Sequence, residues 1–279
     1  MPETTLSNPQ LLVQAVELSI QAGKEILKVY SGIDFQVELK NDQSPLTLAD
    51  KKSHDIIVSG LRSSNLPILS EESSGITWEH RKNWERYWLV DPLDGTKEFI
   101  KRNDEFTVNI ALIERGRPVL GVIYLPVSKT LYFAIQDLGS YKIIKPEGII
   151  TKTTFDDLKQ AATKLPVNSF DEIVRIVASR SHISPETKLF IDNLEEKYGK
   201  ISTVAAGSSL KLCLVAEGNA EIYPRMGPTM EWDIAAGHII ITESGGSVLK
   251  TDNSEMIYNK EDLLNPWFIV KSKSFSRSN

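Results

Sequence analysis

An apolar run that stops abruptly in two acids, a proline and a glycine constrains this chain more than any other stretch. Residues 88–99 read WLVDPLDGTKEF. The pattern predicts that a buried strand ends at Val90 and that Pro92 and Gly95 then form a turn. We therefore expect the rest of the chain to be arranged around this strand and turn.

The two acids of the turn raise the question of a metal site. The turn would place Asp91 and Asp94 side by side and leave a backbone carbonyl, such as that of Leu93, facing the same space. Carboxylate and carbonyl oxygens are hard ligands of the kind that Mg²⁺ takes. Asp-Gly turns are also common as solvated turns, and the spacing alone does not decide between the two interpretations.

The composition excludes some classes of partner. The chain has 279 residues, of which 41% are hydrophobic and 25% charged, so it can form one large domain or two modest ones that share a core. The net charge is −5, which disfavours a nucleic-acid polymer as partner. An anionic small molecule would need local Lys or Arg side chains or metal ions.

The single cysteine and the hydrophobicity profile indicate a location. Cys213 has no second cysteine to pair with, which favours a reducing compartment, so we expect a cytoplasmic protein. Residues 1–10 lack the basic start and apolar core of a signal peptide. No apolar run approaches the roughly 20 residues of a membrane span. A peripheral contact with the cytoplasmic face of the inner membrane stays open, as does the oligomeric state.

Hydrophobic periodicity divides the chain into two halves of different character. In the first half we predict helices at 8–30 and 47–61 and strands at 33–39, 67–70, 106–114, 118–125, 130–135 and 141–145, with a mixed, exposed segment at 78–84. In the second half we predict strands at 172–179, 201–204, 220–223, 246–250 and 267–270 and helices at 184–199, 208–217 and 232–244.

The first half is typical of an antiparallel meander and the second of an α/β layer. Residues 146–165 are polar and irregular in pattern, which makes them the best candidate boundary. We therefore expect an N-terminal α+β subdomain over 1–150 that carries the acidic turn, and a C-terminal α/β subdomain over 151–279.

Acidic residues recur where predicted strands end or helices begin. Glu71, Asp91, Asp94 and Asp233 all occupy such places, and Asp50 lies in the first turn of a predicted helix. Taken singly, Asp50 and Asp233 are ordinary helix-capping acids and Glu71 is a solvated loop residue. If the four acids meet, each like-charged pair costs about 4 kcal/mol at a separation of about 4 Å and an effective dielectric of about 20, and divalent cations would reverse that sign.

Three separated motifs resemble the signatures of the lithium-sensitive, Mg²⁺-dependent phosphatase superfamily that includes inositol monophosphatase and fructose-1,6-bisphosphatase. They are EE at 71–72, DPLDGT at 91–96 and WDIAAG at 232–237, in the superfamily's order. The resemblance covers nearly the whole chain. It implies an inositol monophosphatase-like fold of the mixed α+β and α/β class, a layered αβαβα sandwich.

A finer resemblance is to the 3′(2′),5′-bisphosphate nucleotidases of the bacterial CysQ type. It rests on residues 91–100, SRSH at 179–182, GSSLK at 207–211 with CLVAEG at 213–218, and YPR at 223–225 with GPT at 227–229. It implies removal of the 3′-phosphate of adenosine 3′,5′-bisphosphate, with the sulfated nucleotide as a second substrate and a role in sulfur assimilation. The alternatives are an inositol or sugar monophosphatase on the same metal frame, or a non-catalytic nucleotide or metal sensor.

The resemblance implies a set of metal ligands. Glu71 and Asp91, with the carbonyl of Leu93, would bind one Mg²⁺, and Asp91, Asp94 and Asp233 would bind a second. The resemblance also allows a third, weaker ion near Glu71.

The resemblance also implies catalytic and phosphate-binding groups. Asp50 and Thr96 would orient and deprotonate the attacking water, with Glu71 counted beside them. The amides around Gly95 and Thr96 would hold the scissile phosphate. The predicted substrate-binding residues in this part of the site are Leu93, Asp94, Gly95, Thr96 and Asp233.

Four further residues resemble positions that hold the nucleotide and its second phosphate: Ser181, His182, Ser208 and Lys211. Each also has an ordinary interpretation. Ser208 can cap the next helix, His182 can be a surface residue, and Lys211 can extend from an amphipathic helix to solvent. Arg225 is a further candidate anion contact on weaker grounds.

Overall fold

Two β-sheets alternate with layers of helices in this chain. The computed structural model describes residues 6–32, 35–40, 45–73, 75–148, 153–168, 173–179 and 184–277. The helices in these ranges are α1 Asn8–Tyr30, α2 Leu48–Leu61, α3 Trp78–Arg81, α4 Thr96–Ile100, α5 Phe155–Gln160, α6 Pro185–Tyr198, α7 Leu210–Glu217, α8 Glu231–Glu243 and α9 Lys273–Arg277. The strands are β1 Glu38–Leu39, β2 Pro45–Leu46, β3 Ile68–Ser70, β4 Arg86–Asp94, β5 Thr107–Glu114, β6 Arg117–Leu125, β7 Thr130–Ile135, β8 Gly139–Ile144, β9 Thr163–Lys164, β10 Arg175–Ser179, β11 Ser202–Ala206, β12 Ile222–Arg225, β13 Ser247–Lys250 and β14 Phe268–Lys271.

The larger sheet has seven strands in the order β3-β4-β5-β6-β7-β8-β9. Its first pair, β3 and β4, is parallel, and the other neighbours are antiparallel. The strands of the predicted meander are therefore confirmed. Helices α1 and α2 cover one face, where their buried apolar side chains form a core with those of the sheet. Because β3 and β4 are parallel, their carboxyl ends meet at the same edge, which is where the acids follow.

The second sheet has five strands in the order β11-β10-β12-β14-β13. Helices α7 and α8 lie between the two sheets, and their apolar residues share one core with both. On the outer face, side chains of α6 and α9 pack against β10 and β12. The order of layers is thus helices, sheet, helices, sheet, helices, and the expected αβαβα sandwich is confirmed. The division at residue 150 stays a prediction.

The middle layer is held close to the larger sheet by a glycine. A Cβ atom on Gly121 of β6 would lie 2.5 Å from the carbonyl oxygen of Ala236 and 2.5 Å from Cγ2 of Ile239, both on α8. No larger residue fits at that distance, so α8 packs directly on the strand backbone. This packing holds the first turn of α8, which carries Asp233, near the edge where β3 and β4 end.

The predicted half-buried strand at 33–39 is wrong. Only Glu38–Leu39 is a strand, paired with Pro45–Leu46 in a small two-stranded sheet, and residues 33–34 lie outside the described ranges. Val37 and Leu39 are exposed, while Phe35 is buried. The alternation of apolar residues was real, and Phe35 packs into the core, but nothing in the described part of the chain buries Val37 and Leu39.

The predicted turn at Pro92 is also wrong. Strand β4 continues through Pro92 to Asp94, and its pairing with β5 shifts register between Asp91 and Asp94. A proline lacks an N–H for the ladder, and a bulge is one of the places where a sheet tolerates it. The turn comes at Gly95, whose φ of 92° lies in the left-handed region.

Two other segments differ from their predictions. The stretch 146–165 contains α5 and β9, and β9 joins the larger sheet, so it is not irregular throughout. The segment 78–84 contains α3, in which Arg81 is buried rather than exposed. Among the helices of the described ranges, none combines the length and the hydrophobicity that a membrane crossing requires.

Candidate metal and phosphate site

The predicted acids gather where β3 and β4 end. Glu71 directly follows β3, and its N–H donates to the carbonyl of Val90 at 3.0 Å, which extends the parallel pairing. Asp91 and Asp94 flank the bulge of β4, and the N–H of Leu93 donates to Oδ1 of Asp91 at 3.1 Å. The parallel strands thus explain why acids twenty residues apart in the sequence share one edge of the sheet.

Helix α2 begins at the same edge and brings Asp50 to Thr96. The backbone N–H and the hydroxyl of Thr47 donate to Oδ2 of Asp50 at 2.7 and 2.5 Å. The other oxygen, Oδ1, accepts from the hydroxyl of Thr96 at 3.1 Å. That hydroxyl also lies 3.4 Å from the carbonyl oxygen of Leu93. The N-terminal capping expected of Asp50 and its contact with Thr96 therefore coexist, because each uses a different carboxylate oxygen.

The electrostatics of the acids show that they share one environment. Burial, and then the charges of Glu71, Asp94 and Asp233, raise the pKa of Asp91 well above its usual value. Burial raises the pKa of Asp94 to about 6, although Lys211 opposes the shift. Burial, and then the charge of Asp94, raise the pKa of Asp233 to about 8. Each of these acids is destabilised in its charged form by others of the group.

These donors fit a divalent cation. They are hard oxygen ligands whose mutual repulsion a cation would relieve. In the described part of the chain, however, no three Asp, Glu, His or Cys side chains lie close enough together, as they stand, to hold one metal ion. Glu71 instead accepts from Nζ of Lys40 at 2.8 Å, and the same ammonium donates to Glu72 at 2.6 Å. The acids therefore lie near one another without forming a preassembled ion site. The assignment of ligands to individual ions stays a prediction.

The start of helix α7 is attached to the acid-bearing strand. The backbone N–H of Ser209 donates to Oδ2 of Asp94 at 2.6 Å, and its hydroxyl donates to Oδ1 of Asn109 at 2.7 Å. The hydroxyl of Thr107 lies 2.7 Å from that of Ser209. Asp94 therefore has a fixed orientation that depends on a residue 115 positions away.

A buried lysine faces the same space. Lys211 is 9% exposed, and its ammonium lies 5.7 Å from the centre of the Tyr223 ring. Burial lowers the pKa of Lys211, the charge of Asp94 opposes this, and the charge of Arg225 adds to it. The exposed, solvent-reaching interpretation of Lys211 is thus wrong. Two cations, Lys211 and Arg225, are near the acids, which suits an anionic ligand.

Of the other predicted nucleotide contacts, Ser208 is described and Ser181 and His182 lie outside the described ranges. Ser208 does not cap α7, because Ser209 holds that position. Ser208 has a φ of 41°, and its hydroxyl has no hydrogen-bond partner among the residues that the structure describes. Its Cβ faces Gly95, where a Cβ on the glycine would come within 3.2 Å of it. Ser208 thus lies beside the predicted phosphate-binding turn.

Several residues of the site were missed from the sequence. Asn109 and Ser209 orient Asp94, and Lys40 holds Glu71. A buried polar residue in the apolar strand 106–114 was a signal for Asn109, and Ser209 lies inside the GSSLK motif. The contact of Lys40 with Glu71 could not be predicted from the local sequence, because the partners of Lys40 are 31 and 32 residues away.

Replacing Gly95 with Ala should lower both stability and activity. An L-residue in the left-handed region costs about 1–2 kcal/mol. The added Cβ would also meet the Glu105 carbonyl oxygen at 3.2 Å, so the backbone must shift. The shift needed is a few tenths of an ångström. Because a displacement near 1 Å can cost about 10²-fold, we expect kcat/KM to fall by about tenfold. Urea unfolding and phosphate release measure the two effects.

Gly75→Ala is the matched control. Gly75 has a φ of 97°, but a Cβ atom added to it would have nothing within 4 Å. This variant should lose similar conformational free energy and keep its activity. Equal activity losses in the two variants would contradict a specific role for the Gly95 backbone.

The comparisons with known proteins agree with this fold. The inositol monophosphatase family model matches residues 7–274. This chain therefore belongs to the inositol monophosphatase family.

Individual relatives indicate which members of the family this chain resembles. A Salmonella typhimurium protein named 3′(2′),5′-bisphosphate nucleotidase CysQ is 45% identical over 264 residues, which span 93% of this chain and 99% of that protein. Its Escherichia coli K12 counterpart is 44% identical over the same shares of each chain. The crystal structure of CysQ from Bacteroides thetaiotaomicron superposes with a TM-score of 0.87 at 46% identity and covers 95% of this chain and 98% of that one. The SuhB protein of Bartonella henselae, with a TM-score of 0.72 at 24% identity, shows the shared fold alone.

Proposed function

We propose that this protein is a Mg²⁺-dependent 3′(2′),5′-bisphosphate nucleotidase. It would hydrolyse the 3′-phosphate of adenosine 3′,5′-bisphosphate to give AMP and phosphate. The observation that carries the proposal is the Asp50–Thr96 hydrogen bond of 3.1 Å beside the four interacting acids. The CysQ proteins at 44–45% identity over nearly their full length supply the substrate class.

The residues then have distinct roles. Thr96 accepts a hydrogen bond from the attacking water while its own proton is held by Asp50, so a proton can pass from water through the hydroxyl to the carboxylate. The water oxygen attacks phosphorus, the bond to the 3′-oxygen of the ribose breaks, and that oxygen takes up a proton from solvent to become the 3′-hydroxyl of AMP. Burial raises the pKa of Asp50, which suits a base, while the hydrogen bonds from Thr47 oppose that shift.

The acids would hold the metal ions. We propose two ions, one at Glu71, Asp91 and the Leu93 carbonyl, and one at Asp91, Asp94 and Asp233, while a third, weaker ion near Glu71 stays a prediction. Bound Mg²⁺ would lower the pKa of a water and stabilise the leaving oxygen. Lys211 and Ser208 would contact the nucleotide, and Ser181 and His182 stay predicted contacts. The sulfated nucleotide as second substrate and the cytoplasmic location also stay predictions.

A comparison of substrates tests the proposal. Phosphate release should be faster from adenosine 3′,5′-bisphosphate than from inositol 1-phosphate, and EDTA should abolish it until Mg²⁺ is restored. A clear preference for the inositol ester would support the alternative, an inositol or sugar monophosphatase. Absence of Mg²⁺-dependent turnover on either compound would support a non-catalytic sensor instead.

A further inference from the structure

Helix α2 carries more than Asp50 to the site. Asp50, Ser53 and His54 stand at spacings of three and four residues, so they share one face of the helix. That face packs against β3 and β4. Asp50 has a role in the proposed mechanism, whereas the two polar residues of the next turn have none.

His54 is attached to the end of β3. Its Nδ1 lies 2.9 Å from the hydroxyl of Ser70, and either atom can be the donor. Ser70 is 1% exposed and is the last residue of β3, directly before Glu71. The hydrogen bond therefore fixes the strand at the residue directly before Glu71.

Ser53 is attached to the bulge of β4. Its hydroxyl, which is fully buried, donates to the carbonyl oxygen of Pro92 at 2.6 Å. Pro92 stands in the register shift between Asp91 and Asp94, where the ladder with β5 is interrupted. A buried carbonyl there needs a partner, and Ser53 supplies it.

This anchor is one residue away from a proposed metal ligand, the carbonyl of Leu93. Ser53 holds the Pro92 carbonyl at α2, and the following carbonyl, that of Leu93, lies 3.4 Å from the Thr96 hydroxyl. The same hydroxyl donates to Asp50 on the preceding turn of α2, so this segment contacts one face of the helix at both points. Because the two carbonyls belong to adjacent residues joined by a planar peptide bond, a shift of the Pro92 carbonyl would also move that of Leu93.

We propose that Ser53 and His54 are positioning residues for the metal ligands, His54 acting through Ser70 on Glu71 and Ser53 acting through the Pro92 carbonyl on Leu93. The inference rests on the proposed function, since it takes these groups to be ligands. Partners that orient metal ligands typically change metal affinity or activity by about 10- to 100-fold when removed. One turn of α2 would then preorganise both acid-bearing strand ends.

Substitutions of His54 separate positioning from packing. The amide of Asn reaches the place of Nδ1, whereas the amide of Gln reaches that of Nε2. Calorimetric titration of the full-length protein with MgCl₂, without substrate, should show Mg²⁺ affinity about tenfold or more lower in His54→Gln and Ser70→Ala and nearly unchanged in His54→Asn. The double variant His54→Gln/Ser70→Ala should be no worse than either single variant, because both remove the same contact.

Ser53→Ala should lower Mg²⁺ affinity to a similar extent. Its matched control is Ser19→Ala, because Ser19 is equally buried and its hydroxyl also donates to a backbone carbonyl, that of Val16, at 2.8 Å. The control should lose unfolding free energy in urea without a change in Mg²⁺ affinity. If His54→Gln does not fold, Ser70→Ala, which removes a single hydroxyl, carries the test.

The outcomes separate this inference from the proposed function. Unchanged Mg²⁺ affinity in Ser70→Ala and Ser53→Ala, with only a loss of stability, would overturn the positioning role. A wild-type protein that binds Mg²⁺ but prefers inositol 1-phosphate would overturn the substrate proposal and leave the positioning role standing. A wild-type protein that binds no Mg²⁺ would overturn both.

Discussion

Replacing Asp94 with Asn should lower kcat/KM by about 10³-fold or more while the protein stays folded. A metal ion contributes several kcal/mol of transition-state stabilisation, and each 1.36 kcal/mol is about tenfold in rate. Asn keeps the shape of the side chain, and its carbonyl oxygen can still accept from the N–H of Ser209, which lies 2.6 Å from Oδ2 of Asp94. The substitution thus removes the charge and preserves the contact that orients it.

Three measurements check the Asp94 prediction. Steady-state phosphate release gives kcat/KM, calorimetry with MgCl₂ should show weaker binding, and circular dichroism should be unchanged. Asp252→Asn is the control. Asp252 is an exposed acid that accepts from the N–H of Ser254 at 2.9 Å, and it is not one of the predicted site residues. Near-normal turnover in Asp94→Asn would contradict the proposal that these acids hold catalytic metal ions.

Replacing Thr96 with Ala should lower kcat by about 10²- to 10⁴-fold, the usual contribution of a positioned acid or base. Its hydroxyl donates to Oδ1 of Asp50, whereas the proposed contact of Thr96 with the phosphate uses the backbone amide, which the substitution keeps. The KM should change far less than kcat, because the contact is used in the transition state rather than in substrate binding. Thr96→Ser, which keeps the hydroxyl, should restore most of the rate.

A double variant tests whether Thr96 and Asp50 act together. Asp50→Asn should resemble Thr96→Ala, and the pair combined should cost little more than either alone, because one relay is lost in each case. Full additivity of the two effects, or an unchanged kcat in Thr96→Ala, would remove Thr96 from the activation of water.

Much of the architecture could be predicted from local pattern. The alternation of apolar residues in 106–135 and the helix starts predicted at Asn8, Thr47 and Ser184 are short-range signals. The structure has strands in the first region and helices that begin at Asn8, Leu48 and Pro185. Local signals were misleading where the burial of a side chain depends on whether another layer packs over it. The apolar alternation around Val37 and Leu39 predicts a half-buried strand, yet both side chains are exposed.

The candidate site likewise combines features set by local sequence with features set by the packing of the layers. The sequence alone determined which acids stand at strand ends and helix starts, because residue type and hydrophobic period are local properties. Only the tertiary structure decided that Ser209 orients Asp94, that Lys40 holds Glu71, and that Ser53 donates to the Pro92 carbonyl. These contacts join residues 31 to 115 positions apart. Such pairs depend on how the layers stack, and no local pattern specifies that.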